Sequence, residues 1–198
     1  MLVNFRLKKW KSLYKYCFQL CCDANIIHNN FFYQKAKIMN VAIKQNLYNP
    51  LDTIENIFIR ENITFDRRKD NELVAEVLGK WDNMLVFFAF EEHMRCLHIS
   101  CLLNIESSAV DRSKMFELLA MLNENLWLGH FSYWSEQKMP IFKHSIILQD
   151  EEELFSDKIA KIIELSIMEC ERVYPIFNAV MRQDISPSQA MYSRAMII

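Results

Sequence analysis

Glycine is nearly missing from this chain, with Gly79 and Gly129 the only two in 198 residues. A phosphate cradle or dinucleotide fingerprint needs several glycines at fixed offsets, because backbone must approach phosphate with no side chain between. The large nucleotide-binding classes are therefore excluded. No run of about 18 apolar residues occurs, so an integral membrane helix is not expected. The six cysteines, Cys17, Cys21, Cys22, Cys96, Cys101 and Cys170, form no CxxC pair and no regular disulfide framework. That usage fits a reducing, cytoplasmic compartment.

Acidic residues are scarce in one region only. Residues 1–48 carry eight Lys/Arg against the single acid Asp23, a charge of +7. Of the 23 basic and 25 acidic residues in the chain, 15 and 24 remain for the rest, which is −9. Such a body repels a phosphate backbone, so nucleic acid is not an expected partner for it. The chain divides into a basic leader, 1–48, and a domain, 49–198. In the leader Leu13, Tyr14, Cys17, Leu20 and Cys21 recur at helical spacing near lysines, a pattern that suits an anionic surface. The plainer reading is a loosely packed extension, and Met39 is an alternative start. The opposed charges also predict docking of the leader on the acidic body, weaker in high salt.

What is abundant is apolar: 52% of residues are hydrophobic, against about 45–50% in ordinary domains, while 24% are charged. This composition excludes disorder as the main state. Asn49-Pro50-Leu51-Asp52 writes a helix start, with a cap, an N1 proline and an acid at the positive dipole end. Leu51, Ile54, Ile57 and Phe58 give that helix one apolar face to about Glu61. Strand-like runs follow near 63–66 with 72–78, at 84–91 and at 94–105, separated by polar turns. In the last, Leu97, Ile99, Cys101, Leu103 and Ile105 alternate with Cys96, His98, Ser100, Leu102 and Asn104, so one face is core. Ser108-x-x-Asp111 caps a second helix with the stripe Met115, Leu118, Leu119, Leu122 and Leu126. Two more strands are expected near 128–134 and 141–148, divided by a turn ending at Pro140. After the acidic run 150–153 comes a long helix that Pro175 should bend or break, and Ser186-Pro187 opens a short last helix. The expected fold is α+β: an antiparallel sheet of about five strands flanked by helices, in the order α-β-β-β-α-β-β-α.

This order, with an acidic body, resembles the YbjN family of bacterial proteins, which has the fold of type III secretion chaperones. Three blocks carry the likeness: Asn49-Pro50-Leu51-Asp52; Leu126-Trp127-Leu128-Gly129-His130-Phe131 with Trp134-Ser135-Glu136; and Glu169-Cys170-Glu171-Arg172-x-Tyr174-Pro175. It extends over about residues 49–195. The resemblance implies a non-enzymatic chaperone-like or sensory regulator module, often dimeric, and supplies neither a catalytic residue nor a ligand.

Trp127, His130, Phe131 and Trp134 make an aromatic-rich segment beside a helix end and are the candidate partner-binding residues. The competing reading is ordinary core, with Gly129 in a left-handed conformation and Leu126 and Phe131 closing the helix end. Cys96 and His98 share a strand face and invite a metal or nucleophile reading. His93, however, falls on the opposite face, and two ligands do not close a tetrahedral site, so no metal, cofactor or catalytic residue is expected. Adjacent acids such as Glu91-Glu92 read as surface. Met115, Met121, Met139 and Met168 read as core, and Met181, Met191 and Met196 as available to a partner. The function expected is a protein-binding module, holding a client polypeptide or contacting a signalling partner, and forming a homodimer.

Overall fold

The computed structural model describes residues 49–105, 112–148 and 155–195. The expectations for the leader, the Ser108 cap, the acidic run 150–153 and Met196 lie outside the described residues. Helix α1 spans Pro50–Arg60 and begins as its sequence dictates. The Asn49 side chain accepts from the Leu51 N–H at 3.0 Å and donates to the Asp70 carbonyl at 2.7 Å, fastening the helix start to a strand turn. Leu51, Ile54 and Phe58 are fully buried, worth about 1.5–3 kcal/mol each.

Six strands follow: β1 Thr64–Lys69, β2 Glu72–Leu78, β3 Asn83–Glu91, β4 Cys96–Leu102, then β5 His130–Trp134 and β6 Met139–Ile147. They form one antiparallel sheet in the order β1-β2-β3-β4-β6-β5. Helix α2, Arg112–Glu124, carries the chain from β4 to the far edge, where β5 starts and β6 fills the gap. The runs near 63–66 and 72–78, counted together as one strand of the expected order, are the two strands of a hairpin. β1 is a charged edge with a bulge between Arg67 and Lys69, features that discourage pairing with another chain. Arg67 reaches from it to Glu55 and Asp52 of α1, at 3.0 and 3.3 Å.

Strand alternation sends one set of side chains to the helices. Leu73, Phe88 and Ile99 lie in one register row, and Ala75, Val86, Cys101, Phe142 and Phe131 in the next. All are buried in a core shared with α1, α2 and the long helix α3, Phe155–Gln183, while the short α4, Pro187–Ala195, packs on α2 and α3. Two proline expectations are corrected. α3 runs unbroken through Pro175 to Gln183, because Val173, Tyr174, Ile176, Phe177 and Val180 are all buried and their packing offsets one missing hydrogen bond. β6 starts before Pro140, whose missing donor falls beyond the end of β4, while its carbonyl still accepts from Leu103 N–H at 3.2 Å. Two methionines are also exchanged: Met181 is core, whereas Met168 is 54% exposed.

Candidate interaction surface

The segment between α2 and β5 is a built turn. Asn123, in the last turn of α2, faces the backbone of β5: its Nδ2 donates to the Phe131 carbonyl at 3.0 Å, and its Oδ1 accepts from the Phe131 N–H at 2.7 Å. A carboxamide thus takes the outward hydrogen-bonding pair of an edge strand, closing that register to an incoming strand. Leu126 N–H bonds to the Asn123 carbonyl at 3.4 Å, and the Leu126 side chain packs against the core. Gly129 has φ +66°, the left-handed conformation expected, although α2 ends five residues earlier at Glu124.

The four candidate residues separate into two kinds. Phe131 is buried, its ring edge-on to Phe142 at 5.2 Å and to Phe177 at 5.6 Å. Trp134 is buried too, and its indole Nε1–H has no acceptor among the described residues. Trp127 is 99% exposed, and His130, three residues further on, is exposed too. The turn holds Leu126 on one side and Phe131 on the other while leaving the indole in solvent. Leu128 is exposed as well, and across α2 Phe116 stands half out of the surface, stacked edge-on to Tyr133 at 6.4 Å with the Arg112 guanidinium 5.7 Å from its ring. Phe116 and Asn123 escaped the sequence reading. An apolar residue off the buried stripe of α2 was the available signal for the first.

On the sheet face away from the helices, His130 lies opposite Lys143, and Lys143 opposite Ser100. His98 sits in the adjacent row, its Nδ1 2.7 Å from Ser145 Oγ and its Nε2 2.9 Å from Ser100 Oγ. Burial and the nearby cations Lys143, His130 and His144 push the His98 pKa down to about 4. His130 and His144 are lowered in the same direction, first by burial. A ring this weakly basic is a poor activator of the buried Ser100 hydroxyl. Cys96 lies on the same face, while His93 is in the turn between β3 and β4. Among the described residues no three His, Cys, Asp or Glu side chains are grouped to hold a metal ion. No described helix is long and apolar enough to cross a membrane.

A pH dependence follows. A histidine lowered in the folded state is protonated first in the unfolded chain, so stability falls as pH drops from about 6.5 towards 4 and levels off below. His98 contributes at most roughly 3 kcal/mol to that fall. Chemical denaturation between pH 4 and 7 should show a shallower slope for His98→Gln than for the native chain. Equal slopes would remove His98 as the cause.

The family model described as "Putative bacterial sensory transduction regulator", YbjN, matches residues 50–179. The chain belongs to the YbjN family. A crystal structure of YbjN from E. coli, described as "a putative transcription regulator", is similar with TM-score 0.47 and 14% identity, covering 65% of this chain and 91% of that one. A search of the curated proteins finds no match. The match to the YbjN model includes α1, the whole sheet, α2 and the Asn123–Gly129 turn, and it ends within α3. The family description supports a regulatory or protein-binding role for this YbjN domain.

Proposed function

We propose that this protein is a non-enzymatic, chaperone-like binding module that holds another polypeptide on the α2–β5 flank, with Trp127 as the anchor. One observation carries the reading: an indole left almost wholly in solvent by a turn whose flanking residues, Leu126 and Phe131, are held by the core and by Asn123. Tryptophan is costly to expose and is the side chain most enriched where protein interfaces concentrate their binding energy. The family description favours a second reading, a signalling regulator that contacts one defined protein. The two differ in their partners, many unfolded chains in the first and one stoichiometric protein in the second. Homodimerisation and a cytoplasmic location complete the proposal, and light scattering on the eluting protein tests the first of these.

Trp127→Ala provides the direct test. Stability should change by less than about 0.5 kcal/mol, as for a surface site. Affinity for a partner identified by native co-purification should fall by roughly 30-fold, the loss of a hot-spot residue worth about 2 kcal/mol. The blue shift of tryptophan emission on binding should largely disappear. A variant that keeps its partner at native affinity removes Trp127 from the interface.

A further inference from the structure

The edges of the sheet are protected unevenly. β1 carries charges and a bulge, and Asn123 occupies the outward bonding pair of β5 at Phe131. β6 is longer than β5, and its last residues, His144, Ser145, Ile146 and Ile147, run past His130, the first residue of β5, which lies opposite Lys143. In an antiparallel ladder successive residues turn their N–H and C=O to opposite neighbours. Two bonds at the ends of β6 fix that direction: Leu148 N–H donates to the Arg95 carbonyl at 2.8 Å, and the Pro140 carbonyl accepts from Leu103 N–H at 3.2 Å. Even-numbered residues of β6 therefore bond to β4, and odd-numbered ones face the β5 side. Lys143 meets His130 there. Ser145 and Ile147 have no backbone partner on that side among the described residues, because the left-handed Gly129 takes the chain away before β5 can reach them. Both residues are exposed, Ile147 by 77%.

We propose that the polypeptide held by this domain binds as an added β-strand along residues 144–147 of β6, in line with β5. The inference rests on the binding reading above and names its mode. Two N–H and two C=O groups presented at alternate residues match the repeat of an extended backbone, which would bond to them as β5 bonds to Ile141 and Lys143. The partner chemistry is that of an extended apolar segment, since Ile147 on the edge and Trp127 and Leu128 in the segment leading to β5 are all exposed apolar residues. Backbone bonds would give affinity with little regard to sequence, and the apolar side chains would select where along a chain the strand forms.

The probe is reduced and carboxymethylated α-lactalbumin, a chain held permanently unfolded, added to the full-length isotope-labelled protein with amide exchange followed by NMR. In the free protein the amides of Ser145 and Ile147 should exchange quickly while those of His144 and Ile146, bonded to β4, are slow. Bound probe should slow Ser145 and Ile147 by roughly 10-fold or more. Ile147→Pro removes an N–H on the open side and no bond to β4, so the urea midpoint should hold while affinity for the probe falls roughly 10-fold. Ile147→Thr keeps that N–H and should bind within about 3-fold of native. Because the exchange is measured on the native sequence, it decides the matter even if the proline variant folds poorly. Probe binding that is lost in Trp127→Ala but leaves Ser145 and Ile147 exchange unchanged would overturn strand addition and spare the binding reading. A native chain that does not bind the probe removes both strand addition and the holding of unfolded chains. Slow exchange at both amides before the probe is added would show the edge already paired, and would overturn the proposal as well.

Discussion

Replacing Gly129 with alanine should destabilise the protein by about 2–5 kcal/mol, although the change adds one methyl group. Two costs combine. At φ +66° an L side chain is strained by about 1–2 kcal/mol, and the added Cβ would fall against the Phe142 ring and 2.6 Å from the Lys143 carbonyl oxygen. The ring cannot withdraw easily, because Phe142 is buried and held edge-on by Phe131. The carbonyl belongs to β6, an interior strand bonded on both sides, so it resists displacement. Urea denaturation should show a lower midpoint at unchanged slope. Partner affinity should fall as well, since the same turn presents Trp127. A loss below about 1 kcal/mol would mean that the turn adapts and that exposure of Trp127 is not imposed by the fold.

That turn also marks where the sequence became hard to read. Helical and strand periods tell inside from outside only while the backbone keeps its period. From Leu126 to Phe131 it has none, so Leu126 packs inward, Trp127 and Leu128 project, and Phe131 returns to the core. Aromatic composition identified the segment, but it had no means of separating Trp127 from Phe131. The deciding contacts come from Asn123 on one side and Phe142 on the other, and Phe142 belongs to a strand formed later in the chain.

Elements whose signals are local were legible. The Asn49-Pro50 start of α1 depends on a side chain bonding two residues ahead, and the alternation of β4 is a property of one strand. β1 is legible only to about residue 66 and does not count as a strand of its own, because its sequence, Thr64 to Lys69, is mostly charged and offers Phe65 alone to the core side. Its strand conformation is imposed by pairing with β2 and by Arg67 reaching α1. Pro175 misled for the same reason: local propensity opposes a helix there, and burial on both flanks overrides it. The place of β6 between β4 and β5 is likewise a property of the assembled sheet.

The largest effect expected from a single side-chain truncation near the candidate surface is at Phe131. Phe131→Ala should cost about 3–5 kcal/mol, since it removes a ring that is 2% exposed and joins Phe142 of β6 to Phe177 of α3. Against a total of about 5–15 kcal/mol for a domain, that is a large share of the stability. The cavity would open between two layers, where the chain collapses poorly because the sheet and α3 are each held by other contacts. Phe131→Leu should recover more than half of the loss by restoring volume, leaving the edge-to-face ring pairs, worth about 0.5–1.5 kcal/mol each, as the deficit. The Asn123 bonds involve only the Phe131 backbone and survive both substitutions. Equilibrium denaturation of the two variants beside Trp127→Ala then assigns the aromatic segment: stability lost at 131, binding lost at 127. If Phe131→Ala instead left stability within about 1 kcal/mol of native and abolished partner binding, Phe131 would belong to the interface and the division between the two residues would fail.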